Sequence, residues 1–248
     1  MSSTSLDILA IAAHRDDVEQ TCGGALLKMA QRGQHTGILD LTQGEMGTRG
    51  SADDRAHEAA HAAKILGVAW RRALDIPDGR VENTWENRLK VASVIRETRP
   101  HVVILPYWKG RHPDHYTCSV LGYEACFLAG LAKLPLSPGG GPQTLDLGPH
   151  RPFKIIYATL YYDIRPSFVV DISEQFEQKF ASILAYKSQF SDQEAGKDLF
   201  PAHDEIHARV ESMARFYGAL GGVTYAEPFL QKEVGLVDDL LAIPVKSI

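Results

Sequence analysis

The sequence predicts an α/β protein with a three-layer, Rossmann-like fold: a mostly parallel central sheet with helices on both faces. Three observations lead there. Short, almost continuous apolar runs alternate with helix-periodic stretches along the chain, which is the pattern of parallel βαβ units with right-handed crossovers. The most polar, glycine- and histidine-rich segments fall directly after those runs, where strands of such a sheet hand over to loops. Hydrophobic residues make up 44% and charged residues 23% of 248 positions, ordinary globular values that argue against a disordered, collagenous or disulfide-dense chain.

The elements follow in order. Residues 6–13 form the first apolar run, followed by a polar loop, Gly23-Gly24 and a helical pattern through Ala25, Leu26, Leu27, Met29 and Ala30. A second strand over 36–41 leads into the loop TQGEMGTRGSADD, and Asp53 or Asp54 is expected to cap an Ala-rich helix that ends at Leu66-Gly67. A strand over 70–76, a helix over 86–98 and a fully buried strand over 101–106 continue the alternation. Pro113 suits the first turn of the next helix, which carries Val120, Leu121, Ala125 and Leu128. The Pro/Gly-rich stretch 134–152 reads as a long surface loop within one domain spanning 1–248, because strands over 155–161 and 167–172 resume at once. Helices over 174–190 and 204–220 and a segment over 223–229 complete the chain.

The net charge of -5 and pI near 6.1 provide no basic field for phosphate backbones, so small molecules rather than nucleic acids are the expected partners. Cys22, Cys118 and Cys126 form no paired framework and no CxxC, as in a reducing compartment. The N-terminal stretch lacks a charged leader, and its apolar run falls far below the roughly 20 residues of a membrane span. A cytoplasmic protein without membrane contact is expected.

Two polar clusters carry the chemistry. His14-Arg15-Asp16-Asp17-Val18-Glu19 follows the first strand, at the sheet edge where open α/β folds bind ligands. An imidazole and a carboxylate three residues apart can turn into one coordination sphere, while the intervening carboxylate lies beside the metal and can take a proton from water. His112-Pro113-Asp114-His115 follows the fourth strand and can reach the same crevice. Two histidines and one carboxylate make an open zinc site with a position left for water or substrate. A competing motif is His57-Glu58-Ala59-Ala60-His61, a literal HExxH of the kind metalloproteases carry on a helix, with Glu82 or Glu86 as conceivable third ligands.

The segments AAHRDDVEQTCGG, LTQGEMGTRG, RAHEAAHAAKILGV and RHPDH resemble the LmbE/PIG-L family of zinc-dependent N-acetylglucosamine deacetylases, whose opening motif is usually AHPDDxE. The likeness continues through FVVDIS, AYKSQF and YAEPF, covers nearly the whole chain, and is greatest to the branch that deacetylates N-acetyl-α-D-glucosaminyl L-malate in bacillithiol biosynthesis. It implies that His14, Asp17 and His115 hold zinc or another divalent ion, that Asp16 is the general base, and that His112, oriented by Asp114, donates a proton or stabilises the oxyanion. It also assigns Arg55 and Glu58 to a family RxxEA helix, which leaves His57 and His61 at variable places. Tyr186, in AYKSQF, is a candidate hydroxyl donor near the oxyanion. Related enzymes form trimers or hexamers, so a homo-oligomer is expected. Arg55, and with it Arg49 or Arg111, is placed to read an anionic aglycone such as malate, the competing role for Arg55 being an ion pair with Glu58. One departure stands out: Arg15 replaces the family's usual proline, and restoring proline is expected to leave activity unchanged or slightly higher. A sugar-binding module on the same fold would need neither the base nor the acid.

Overall fold

The computed structural model describes residues 5–137, 147–159, 163–190 and 203–245, with the side chains of residues 203 and 204 left aside. Seven strands form one sheet: β1 (Ile8–Ala12), β2 (Thr36–Asp40), β3 (Trp70–Ala73), β4 (Val102–Pro106), β5 (Lys154–Ala158), β6 (Phe168–Asp171) and β7 (Ala226–Leu230), in the order β3-β2-β1-β4-β5-β7-β6. The first five strands run parallel, with Ile8 beside both Thr36 and Val102; β7 is antiparallel to β5 and to β6. The chain thus winds outward from β1 to β3 and then crosses back to β4 on the other side of β1. That reversal opens a crevice at the carboxyl ends of β1 and β4, the usual ligand position in such sheets.

Among the described residues the α-helices are α1 (Asp17–Thr21), α2 (Gly23–Gln31), α3 (Ala52–Ile65), α4 (Trp85–Thr98), α5 (Pro113–Ala129), α6 (Phe176–Leu184), α7 (Lys187–Phe190) and α8 (His203–Gly221). Alternation along β1 divides the core. Leu9 and Ile11 point to one face and pack with Val94 and Ile95 of α4 and Leu121 of α5; Ala10 and Ala12 point to the other and pack with Val18, Ala25 and Leu26 of α1 and α2. The small side chains on the second face let α2 approach closely, and a Cβ on Gly24 would lie 2.9 Å from Ile172. Among the described residues no helix is long and apolar enough to cross a membrane.

Four local expectations change. The polar loop after the first strand contains the short helix α1. The cap of α3 is Ser51, whose hydroxyl accepts from the Asp54 amide while Asp54 reaches back to the Ser51 amide, a reciprocal capping box. The helix expected over 174–190 is broken into α6 and α7, because the Ser188 amide and hydroxyl donate to Glu58, both at 2.7 Å, and the Tyr186 side chain turns into the core. The 223–229 segment is the antiparallel strand β7. Part of the expected 134–152 loop and the end of the expected 155–161 strand lie outside the described residues.

Candidate active site

His14 follows β1 and His112–His115 open α5 after β4, so the switch-point crevice draws the two predicted clusters together across 101 positions of sequence. His14 Nδ1 lies 3.2 Å from His115 Nε2 and 3.5 Å from Asp17 Oδ2, while His115 Nε2 lies 3.2 Å from Asp17 Oδ1. Four donors around a zinc ion at about 2.0–2.1 Å are separated by about 3.3–3.4 Å at tetrahedral angles. His14 Nδ1, His115 Nε2 and the two oxygens of Asp17, one facing each histidine, stand close to that spacing, and donor atoms of His14, His112 and His115 gather within 4.8 Å of one another, so the residues assembled here fit a divalent cation.

The opposite nitrogen of His14 is equally constrained. Nε2 lies 3.1 Å from Asp78 Oδ1 and 3.3 Å from Asp114 Oδ2. Asp114 is itself held by the amides of Gly79 at 2.8 Å and Val81 at 3.2 Å, and Asp78 by the amide of Met46 at 3.0 Å. A carboxylate behind a ligand imidazole fixes its tautomer and ring direction. Burial opposes charge on His14, yet its hydrogen bonds with Asp114, Asp17 and Asp78 push its pKa up to about 12. Such a concentration of carboxylates around one imidazole is the electrostatics of a cation site.

Asp114 therefore does not orient His112 through its carboxylate, as the sequence suggested; the carboxylate faces His14. Its backbone amide instead donates to His112 Nδ1 at 3.2 Å, with His112 serving as N-cap of α5. An Nδ1 that accepts leaves the neutral ring's proton on Nε2. Burial, and then the neighbouring His14 and His115, lower the His112 pKa.

Asp16 lines the same cleft, a space of about 500 Å³. Burial raises its carboxyl to about 6, while the Arg55 guanidinium, donating to Oδ1 at 2.9 Å, pulls the other way. Arg55 comes from the first turn of α3 and passes over Gly44, whose φ of +72° and lack of a side chain make the approach possible; a Cβ there would lie 2.9 Å from the guanidinium.

The remaining expected residues separate clearly. Arg55 lines the cleft but is paired with Asp16, and Glu58 is turned to Ser188, so the alternative Arg55–Glu58 pair is not formed. Arg111 is exposed on the cleft wall, facing a sector that also contains Arg209 of α8. Arg49 does not line the cleft; its guanidinium donates to the Gln189 carbonyl at 3.2 Å. Tyr186 is fully buried and its hydroxyl donates to Glu19 at 2.9 Å, away from the oxyanion position proposed for it. Glu19 also receives Arg71, which forks onto Asp40, so the last acid of the HRDDVE motif anchors α1 to β2 and β3. In the HExxH helix, His57 and His61 are exposed, and neither they nor the exposed Glu82 and Glu86 line the cleft that holds His14, Asp17 and His115. Asp78 is the residue the sequence reading missed. Its signal was the Pro77-Asp78-Gly79 turn after the third strand, on the same edge of the sheet.

Arg15, in place of the family proline, is buried and donates to the carbonyls of Gln43 at 3.2 Å and Ala52 at 2.7 Å. It ties the β1 loop to both ends of the glycine-rich loop that lines the cleft through Met46, Gly47 and Thr48.

Fold and crevice together define a class: an α/β enzyme that assembles a cation-type donor set beside a half-buried acid at the switch point of a mostly parallel sheet. Residues 9–126 match the family described as PIG-L: GlcNAc-PI de-N-acetylase. Over 231 residues the chain is 32% identical to the diacetylchitobiose deacetylase of Thermococcus kodakarensis, covering 89% of this chain and 80% of that protein. It is 26% identical over 206 residues to a 4-oxalmesaconate hydratase of Pseudomonas putida, covering 76% of each. Among solved structures, a conserved protein from Thermus thermophilus, TT1542, superposes with a TM-score of 0.81 at 40% identity, covering 94% of this chain and 98% of that one. The chain belongs to the PIG-L family of deacetylases.

Proposed function

We propose that this chain is a zinc-dependent N-deacetylase that hydrolyses the acetamide of an N-acetylglucosamine conjugate, with N-acetyl-α-D-glucosaminyl L-malate of bacillithiol biosynthesis as its substrate. The observation that carries the reaction is the convergence of His14, Asp17 and His115, with pairwise contacts of 3.2–3.5 Å, beside the Arg55-paired Asp16.

In this reading His14, Asp17 and His115 hold the metal, and Asp78 and Asp114 fix the ring of His14 from behind. A zinc ion held by these residues would supply Lewis acidity, with the pKa of a bound water brought toward about 7. Asp16 accepts the proton of the attacking water, and Arg55 keeps that carboxylate charged near neutrality despite its burial. His112 presents its Nε2 hydrogen to the developing oxyanion, and the proton held by Asp16 passes to the leaving nitrogen as the C–N bond breaks, which restores the Asp16 carboxylate. Acetate and a free amino sugar result. Arg111, exposed on the cleft wall beside the sector of Arg209, is our candidate reader of an anionic aglycone. The family likeness and the absence of a membrane-length helix among the described residues support a cytoplasmic enzyme.

The deciding experiment incubates zinc-loaded protein with the malate conjugate, diacetylchitobiose and free N-acetylglucosamine, and measures released amine. Fastest release from the malate conjugate supports the reading, whereas faster release from diacetylchitobiose replaces the substrate and keeps the reaction. No amine from any of them, with hydration of an unsaturated dicarboxylate instead, would move the chain to the chemistry named for its Pseudomonas relative.

A further inference from the structure

Asp16 and Asp17 stand at the head of α1, and α1 is short and sharply ended. Asp16 is its N-cap and Asp17 its first residue; after five residues the helix stops at Cys22, whose φ of −141° and ψ of 17° turn the chain before α2 begins at Gly23. A helix of that length makes little more than one turn, so its direction is set by what holds its far end. The break also leaves backbone groups without helical partners, carbonyls at the end of α1 and amides at the start of α2. In an unbroken helix the Gly24 amide would donate to the Gln20 carbonyl, four residues back.

A buried ion pair from the distant end of the sequence is inserted into that bond. Lys179 of α6 and Glu227 of β7 are 4% and 2% exposed and lie 2.5 Å apart. The Lys179 ammonium donates to the Gln20 carbonyl at 2.9 Å, while the Glu227 carboxylate accepts from the amides of Gly24 at 2.9 Å and Ala25 at 2.7 Å. A cation closes the carboxyl end of one helix and an anion opens the amino end of the next, each at the pole that favours it. Gly24 makes room for the carboxylate, since a Cβ there would lie 3.0 Å from Glu227 Oε1. From Gln20 the contacts continue into the site. Its side-chain amide donates to the Asp16 carbonyl at 3.3 Å and to Asp16 Oδ2 at 3.4 Å, and Gln20 lines the cleft.

We propose, on the metal-dependent reading given above, that Lys179 and Glu227 are a positioning pair: they hold open the break between α1 and α2 and so fix the direction in which α1 presents Asp16 to the reacting water and Asp17 to the metal. Neither residue lines the cleft, so their effect passes through α1. Lys179 acts on the Gln20 backbone, and Glu227 keeps Gly24 and Ala25 as the start of a separate helix. Side chains inserted into the helical ladder are a recognised cause of sharp bends. Without the pair, the cheapest partners for the freed groups are each other. Closing the bond between Gly24 and Gln20 would bring α1 into line with α2 and carry Asp16 and Asp17 away from His14 and His115.

Zinc affinity, measured by chelator competition with no substrate present, tests this beside turnover. Lys179→Met removes the cation, and Lys179→Met with Glu227→Gln removes both charges; the double variant carries the test where the single one leaves Glu227 uncompensated and unfolds the chain. Each should weaken zinc binding about 10–100-fold, the usual cost of losing the support behind a metal ligand, and should lower kcat at saturating zinc with KM unchanged. Val94→Ala, a core truncation on α4, is the reference for a purely structural loss: it should lower the melting temperature and leave zinc affinity alone. Gln20→Met keeps the backbone carbonyl, so it should lower kcat at unchanged zinc affinity, and its effect should shrink in the Lys179→Met background because both act along one path. Variants of the pair that melt earlier yet bind zinc as tightly as the unmodified chain overturn the proposal, since the pair would then serve stability alone. Fully additive effects of Gln20→Met and Lys179→Met on kcat overturn it as well. Failure of the deacetylase reading looks different: the unmodified, zinc-loaded chain would release no amine from any conjugate, while zinc affinity would still separate the variants of the pair from Val94→Ala.

Discussion

Arg55 shows how one contact changes what a residue is expected to do. Its guanidinium donates to Asp16 at 2.9 Å, and no Glu58 pair forms among the described contacts, so its removal acts on the proposed base rather than on the aglycone. Arg55→Ala should lower kcat for neutral and anionic substrates alike, by roughly 10–100-fold if one charge-assisted hydrogen bond of about 1.5–3 kcal/mol is lost. A selective rise in KM for the malate conjugate would return Arg55 to the aglycone. Asp16→Asn keeps shape and removes the proton acceptor; kcat should fall about 10²–10⁴-fold with metal content unchanged. His115→Ala should lose bound metal, measured by elemental analysis, whereas His112→Ala should retain it and lose rate. Equal metal loss in both would show that both histidines hold the ion, an arrangement that the convergence of His14, His112 and His115 donor atoms allows. At this scale the sequence was most legible where one short motif held all its chemistry, as in His14-Arg15-Asp16-Asp17. Asp78 escaped because a lone acid in a Pro-Asp-Gly turn looks like any turn former until β3 aligns it with His14.

Among the elements, the glycine-rich loop between β2 and α3 depends on Arg15. Proline at that position would preset φ, but it would also delete a buried guanidinium that bonds the carbonyls of Gln43 and Ala52. The structure thus reverses the expected outcome of restoring the family residue. Arg15→Pro should destabilise the fold by about 1.5–3 kcal/mol in urea unfolding and should open the 43–52 loop to limited proteolysis with a parallel fall in kcat/KM. Unchanged cleavage and activity would show that the loop holds without this tie. Most strands and helices of the first 130 residues were readable because apolar runs and helical periods alternate there regularly; the five-residue α1, set in a polar segment, was not. The split between α6 and α7 was not, since it is set by tertiary contacts of Tyr186 and Ser188 that no local pattern encodes. The antiparallel sense of β7 was hidden for the same reason: an apolar run states that a strand exists, not which way it runs.

For the whole molecule, the cation site and the stability of the fold are linked. Asp17, Asp78 and Asp114 converge on His14, and a bound divalent ion offsets their mutual repulsion while binding only the folded chain. Chelation should therefore lower the melting temperature as well as abolish activity. At a hundredfold excess of metal over its Kd the stabilisation is about 2.7 kcal/mol, equivalent to about 5–10 °C for a chain of this size. Calorimetry with chelator and after zinc return measures this; a melting temperature indifferent to both would separate the donor set from metal binding.

The crossing from β3 back to β4 has a further consequence, for the order of events as the chain acquires its structure. His14 and His115 are 101 positions apart and become neighbours only once β4 has paired with β1. Contacts across so long a loop form late, because the entropy of closing it is lost before any pairing rewards it. The donor set is thus a built-in clock. In stopped-flow refolding with a fluorescent zinc indicator, capture of the ion should lag behind the far-ultraviolet signal of the helices and coincide with the last rise of the tryptophan signal. A mutation that weakens the β1–β4 pairing should delay ion capture while leaving the early helical phase untouched.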